Sequence, residues 1–146
     1  MARQTPFHEP LLGKLPASDR PRSRWQKLVH SFDYAFAGVW HAVKTQQNMR
    51  VHLCIAVIVI ALGIYAGLDV VRWAVLGLTI GFVLVAEMFN TVAEAAMDAA
   101  TTEYHPLVQV AKDVAAGAVL ITACISIGVG LLILGPPLWA RLAGLW

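Results

Sequence analysis

Glu87, Asn90, Glu94 and Asp98 recur at steps of three and four residues. On a helix their side chains fall within about 80° of arc, with Thr91 close to the same line. Carboxylates and an amide in this arrangement suit two tasks: taking a proton from an attacking hydroxyl, and presenting hard oxygen atoms to a divalent cation. The stripe directly follows an apolar run, at the end of what otherwise reads as a membrane-spanning helix. Ionisable groups near a bilayer are costly and are rarely kept without a function. The bland counterpart is a helix end that emerges into water, where charges commonly cluster.

The elements that must position this stripe belong in a bilayer. Of the 146 residues, 58% are hydrophobic and only 14% charged, too apolar for a soluble domain of this size to cover its surface. The net charge of +2 carries no nucleic-acid signal, because the basic residues form no patch with interleaved aromatics.

Three apolar segments each approach the ~20 residues needed to cross the hydrocarbon core. They lie near residues 52–68, 70–86 and 114–134. The second continues as a helix to about residue 99, since no Gly or Pro stops it, and the third helix starts near residue 107, outside the membrane. Gly67, Leu68 and Asp69 allow only a tight antiparallel link between the first two spans. Residues 101–106 join the second to the third, with Pro106 suited to a first helical turn.

Residues 1–22, rich in Pro and charge and without an apolar period, are expected to form a flexible cytoplasmic tail rather than a secretory signal. Over residues 23–48, Trp25, Leu28, Phe32, Phe36, Val39, Trp40 and Val43 repeat at three and four. This predicts an amphipathic surface helix, too polar to span, that either covers the site or serves as an interfacial anchor. The expected architecture is an all-α membrane protein, with residues 23–146 forming one domain of a surface helix and three transmembrane helices.

Eight basic residues, Arg3, Lys14, Arg20, Arg22, Arg24, Lys27, Lys44 and Arg50, precede the first span, and only Arg72, Lys112 and Arg141 follow. The positive-inside rule therefore predicts a cytoplasmic N-terminus and an external C-terminus. The stripe, the 101–106 loop and the Lys112-Asp113 pair then share the cytoplasmic face. Pro136, Pro137, Trp139, Arg141 and Trp146 suit the outer interface. Cys54 and Cys124, inside apolar spans, are expected to be packing residues. His30, His41 and His52 show no metal-ligand spacing, and interfacial hydrogen bonding is the expectation for each. His105 differs by its place in the loop facing the stripe.

Glu87-Met88-Phe89-Asn90-Thr91-Val92-Ala93-Glu94, Asp98, Glu103-Tyr104-His105-Pro106-Leu107, Ala111-Lys112-Asp113 and Ala115-Ala116-Gly117-Ala118-Val119-Leu120 together resemble the signature of the small integral-membrane diacylglycerol and undecaprenol kinases of prokaryotes. The resemblance runs from Ser31 to the end of the third span. It implies ATP-dependent phosphorylation of a membrane lipid alcohol with Mg²⁺, in a homotrimer of the bacterial inner (plasma) membrane whose sites are shared between neighbouring chains. Consistent with that family, the chain has no G-x-x-x-x-G-K-[ST] phosphate loop and no Gly-rich loop of the soluble kinases.

By resemblance, Glu87 is the catalytic base, at the depth a lipid hydroxyl would reach, and Asn90 orients the carboxylates or that hydroxyl. Glu94 is a Mg²⁺ ligand, and Lys112 binds nucleotide phosphates as a point charge. Asp98, Glu103, His105 and Asp113 are expected around the nucleoside, with Tyr34 of the surface helix nearby; each could instead be a solvated polar residue. Thr91 could simply bond its own backbone.

One position departs from the pattern. Where the family usually has E-x-N-[FM]-[RQ]-[IVF]-H, this chain reads Gln46-Gln47-Asn48-Met49-Arg50-Val51-His52, so Gln46 replaces a metal-binding Glu. An amide oxygen can still reach Mg²⁺, but the site loses one negative charge and is expected to depend more on ATP for its metal. A catalytically impaired scaffold or regulator is therefore the alternative. A transporter fits less well, since the polar residues crowd one end rather than the midplane. Thr91, His105-Pro106-Leu107 and Ala115-Ala116-Gly117-Ala118 resemble the undecaprenol branch more than the diacylglycerol branch.

Overall fold

The structure is a computed structural model that describes residues 23–144; the tail expected over residues 1–22, and Trp146, lie outside the described residues. The described residues form four helices: α1 (Arg24–Thr45), α2 (Gln47–Ala66), α3 (Val70–Ala100) and α4 (Pro106–Leu142). The chain divides into two units within α1, after Gly38.

In the first unit, α1 opens with a reciprocal cap. The Gln26 N–H donates to Ser23 Oγ at 3.2 Å, and the Ser23 N–H donates to Gln26 Oε1 at 3.1 Å. This pairing satisfies two of the donors that a helix start leaves open. Trp25, Phe32 and Phe36 are all exposed, as are the polar residues of the same unit.

The second unit contains the end of α1 and the three long helices. α1 does not continue to residue 48 as its periodicity suggests. Gln46 is extended at φ −93° and ψ 120°, and α2 starts at Gln47, five residues before the apolar run. No Gly or Pro marks this break, so hydrophobic spacing alone could not locate it.

α2 ends in a left-handed cap at Gly67 (φ 68°), where the Gly67 N–H donates to the Ile64 carbonyl and the Leu68 N–H to the Gly63 carbonyl. These bonds form a Schellman motif, which requires the positive φ that glycine tolerates best. Asp69 then caps α3 by accepting from the Arg72 N–H at 3.0 Å, and that bond holds its carboxyl below the ordinary aspartate range. The three-residue reversal makes α2 and α3 antiparallel, as their short link requires.

α3 has 31 residues and so extends about 46 Å, well beyond a ~30 Å hydrocarbon core. Its surplus length carries the polar stripe. α4 starts at His105, whose Nδ1 accepts from the Leu107 N–H, with Pro106 in the first turn. It runs eight residues past the end expected at Leu134, through Pro136 and Pro137. A proline inside a helix costs about 3 kcal/mol or more in water. Here tertiary contacts favour continuation: Pro137 is buried, Leu138 packs on the core, and Arg141 lies over the Tyr65 ring.

α3 packs most extensively on α4, and α2 packs on both. Ala66, Leu68, Leu76 and Leu134 form a buried cluster at the end of the bundle remote from the stripe. Elsewhere large apolar side chains such as Ile58, Leu78 and Leu132 face outward. Lipid rather than water is the solvent for such a surface. α2, α3 and α4 are each long and apolar enough to cross a membrane. Cys54 and Cys124 are free thiols on this outer surface, not packed inside as expected; a hydrocarbon solvent accepts a thiol there at little cost.

The Gly67 cap provides a test of the α2–α3 reversal. Gly67→Ala should lower stability by about 1–2 kcal/mol, since a Cβ is strained at positive φ. The measurement is the thermal midpoint in detergent micelles, and an unchanged midpoint would refute the cap.

Candidate active site

Along α3 the stripe passes from the protein interior to the surface. Glu87 is fully buried, Asn90 is 5% exposed, Glu94 is half-buried and Asp98 is exposed. The helical rise separates Glu87 from Glu94 by about 10.5 Å along the axis, and Glu94 from Asp98 by about 6 Å. The four side chains thus sample different solvents from one helix face.

Glu94 is held between two amides. Asn90 Nδ2 donates to its Oε1 at 2.9 Å, and Gln46 Nε2 donates to its Oε2 at 3.2 Å. The second bond depends on the break between α1 and α2. Gln46 is the N-cap residue of α2 but makes no side-chain cap bond, so its amide can reach across to α3. Among the described residues, Asn90 Oδ1 one turn deeper and both Glu87 carboxylate oxygens about two turns deeper are buried without a hydrogen-bond partner. Thr91 Oγ1 donates to the Glu87 backbone carbonyl at 2.9 Å and so serves the helix itself.

Buried acceptors without donors cost about 1–3 kcal/mol each and mark a place suited to binding. The Glu94 carboxylate is a hard donor that fits a divalent cation of the Mg²⁺ class, while Gln46 and Asn90 present their amide nitrogens to it in this arrangement. Among the described residues no three His, Cys, Asp or Glu side chains are arranged as an all-protein cage. That arrangement suits Mg²⁺, which commonly takes one or two carboxylates and draws its remaining ligands from phosphates and water.

Nearer the surface, Lys112 of α4 forms an ion pair with Asp98 of α3. Asp98, Glu103, His105 and Lys112 line one polar cavity of about 200 Å³, together with Thr101 and Gln109. Asp113 is not among the lining residues, because its carboxylate accepts from Gln109 Nε2 at 2.8 Å at an exposed position. Tyr34 lies in the first unit and is exposed. Farther along α3, an apolar groove of about 360 Å³ runs between α2, α3 and α4, from His52, Val83 and Leu84 toward Leu138; Glu87 lies between Leu84 and Asp98 in the helix but lines neither cavity.

His52 is the residue that spacing failed to single out. Gln46 meets Glu94 across an antiparallel helix pair, and His52, six residues farther along α2, comes opposite Glu87, seven residues back along α3. Its signal was present only as a distance from Gln46, and that distance has meaning once the pairing of α2 with α3 is known.

Three helices long and apolar enough to cross a membrane, with a buried carboxylate on the second, define an integral-membrane protein with an ionisable group enclosed in its helix bundle. The chain matches the family described as Prokaryotic diacylglycerol kinase over residues 33–134 and belongs to that family of membrane lipid kinases. It is 37% identical over 117 residues to the undecaprenol kinase of Bacillus subtilis, covering 80% of this chain and 95% of that protein. It is 40% identical over 129 residues to a diacylglycerol kinase of Synechocystis sp., covering 84% and 74%. A diacylglycerol kinase of Helicobacter pylori is 32% identical over 97 residues, covering 66% and 76%.

Replacing a buried, unpartnered carboxylate with an apolar side chain of similar length removes its desolvation cost. Glu87→Met should therefore raise stability by about 1–3 kcal/mol, read as a higher thermal midpoint in micelles. A lowered midpoint would mean that Glu87 has a stabilising partner in the folded protein.

Proposed function

We propose that this protein transfers the γ-phosphoryl group of ATP to the hydroxyl of a membrane lipid alcohol, with undecaprenol the preferred acceptor and diacylglycerol next. The observation that carries this reading is the buried, unpartnered Glu87 carboxylate, placed along α3 between Leu84 of the apolar groove and Asp98 of the polar cavity. A lipid would approach such a carboxylate from the apolar side and a nucleotide from the polar side.

In the proposed reaction Glu87 accepts the proton of the acceptor hydroxyl. The oxygen forms a bond to the γ-phosphorus as the bond to the ADP oxygen breaks. Asn90 holds Glu94 through its amide and keeps a buried, unpaired carbonyl oxygen one turn from Glu87 along α3. Lys112 balances phosphate charge after exchanging Asp98 for the nucleotide, while Asp98, Glu103 and His105 surround the nucleoside. Asp113 and Tyr34 are proposed as outer nucleotide contacts, supported by their match to the family pattern. Glu94 is the proposed Mg²⁺ ligand, with Gln46 contributing an amide oxygen at the position that is Glu in the motif this chain resembles. When bound, Mg²⁺ neutralises the phosphate oxygens on which charge develops.

The preference for undecaprenol is supported by Thr91, the His105-Pro106-Leu107 run and the near-complete coverage of the Bacillus relative. The diacylglycerol kinases among the relatives make that lipid the second acceptor. The bias of basic residues before residue 52 supports a multi-pass protein of the bacterial inner membrane, with the N-terminus and site cytoplasmic and the C-terminus outside. A homotrimer with sites shared between chains is supported by the family pattern and by exposed apolar residues such as Phe89 and Val92 at the level of the stripe.

Gln46 favours one other reading, a scaffold or regulator disarmed at its metal site. Transfer of labelled γ-phosphate to undecaprenol and to diacylglycerol in mixed micelles separates the two. Glu87→Gln should lower kcat by about 10²–10⁴-fold, the range typical of losing a general base. Gln46→Glu should lower the Mg²⁺ concentration needed for half-maximal transfer. No transfer until Gln46→Glu is introduced would establish the disarmed reading instead.

A further inference from the structure

Among the described residues no donor reaches the Glu87 carboxylate, and the nearest donors on its own helix face are directed elsewhere. The Asn90 amide donates to Glu94, and the Thr91 hydroxyl donates to the Glu87 backbone carbonyl. On α4, Lys112 is paired with Asp98, nearer the surface. A carboxylate that acts as a base needs one oxygen directed at the proton it removes, and an orienting donor on the other oxygen commonly achieves this.

The register of α2 against α3 brings one such donor to the site. The helices are tied at the stripe end by the bond from Gln46 to Glu94. At the other end, a Cβ on Gly63 would lie only 2.8 Å from the Trp73 ring, so the helices are also in close contact there. Between these ties, a step of six residues from Gln46 reaches His52, about 9 Å along the axis, and a step of seven from Glu94 reaches Glu87, about 10.5 Å. Ala56 and Val83, one turn farther along each helix, are both buried and line the same groove.

His52 is half-buried, lines the groove at the end nearest Glu87, and lies within electrostatic range of its carboxylate. Its ring N–H has no hydrogen-bond acceptor among the described residues. Catalytic hydrogen bonds are commonly open before substrate binds.

We infer that His52 is a positioning residue for Glu87, donating its ring N–H to one carboxylate oxygen so that the other faces the hydroxyl of the acceptor lipid. This inference rests on the lipid kinase reading above. The hydroxyl proton passes to Glu87 as the new P–O bond forms and the bond to ADP breaks, and His52 keeps its own proton throughout. Its position at the mouth of the groove means that the same imidazole edge borders the place where a lipid chain meets its polar head.

The test combines turnover with a spectroscopic readout of the pair. His52→Phe should lower kcat on the order of 10- to 100-fold, as loss of an orienting partner typically does, with KM for ATP within about twofold of the natural protein. His52→Gln retains an N–H donor and should recover activity to within about tenfold of the natural protein. In a Glu87→Gln background, His52→Phe should cause no further loss, because it acts through the missing carboxylate. An equal loss in both backgrounds, or a kcat for His52→Phe within twofold of the natural protein, would overturn the assignment.

Difference infrared spectra, with Glu87→Gln used to identify the Glu87 carboxyl band, give a readout independent of turnover. With lipid alcohol bound, that band should shift in His52→Phe and stay nearer its natural position in His52→Gln. An unmoved band overturns the contact even if the protein is active. Absence of phosphate transfer by the natural protein would instead overturn the kinase reading, while the band would still decide whether His52 engages Glu87.

Discussion

A carboxylate fully enclosed in an apolar helix bundle, with neither oxygen bonded, is the constraint around which this structure is organised. Removing such a group from water is expensive, and among the described residues no lysine or arginine forms an ion pair with it to offset the cost. The rest of the bundle must supply the stability that Glu87 withholds. The tight cluster of Ala66, Leu68, Leu76 and Leu134 lies at the opposite end, where α2 and α3 reverse and α4 continues past its prolines. Stability and chemistry are thus concentrated at opposite ends of the same helices.

Between the two ends, α3 converts depth into chemical environment. The side chain at 87 is sealed, the one at 94 is held by two amides, and the one at 98 reaches water and a lysine. One helix can place three carboxylates in three environments because its axis crosses from hydrocarbon to solvent. The same carboxyl chemistry is thereby adapted to different tasks, since burial and neighbouring groups govern how readily each holds a proton or a cation.

The break at Gln46 links the surface helix to this arrangement. An uninterrupted helix would carry the Gln46 side chain at a helical φ and ψ, whereas the extended residue lets its amide meet Glu94 while its own N–H still bonds the Ala42 carbonyl. Replacement of a carboxylate by an amide at this position has a direct physical effect. Two carboxylates facing each other would repel without a cation between them, but an amide can hydrogen-bond to Glu94 in the absence of metal. The Glu94 carboxylate is therefore satisfied by two amides, while the deeper Glu87 carboxylate and Asn90 Oδ1 are not.

Much of this was legible along the chain. The all-helical membrane architecture followed from three long apolar runs, because hydropathy and segment length are local quantities. The face shared by Glu87, Asn90, Glu94 and Asp98 followed from helical periodicity alone, and the Gly67 and Asp69 caps sit where short-range turn chemistry requires them. What the tertiary structure decided depends on one helix meeting another. It set the extended Gln46, the choice of Lys112 to pair with Asp98, the turning of Asp113 toward Gln109, the continuation of α4 through Pro136 and Pro137, and the position of His52 opposite Glu87. The physical reason is the range of the forces: a residue's own helix face is set by neighbours three and four positions away, but its partner across an interface is set by packing contacts tens of residues distant.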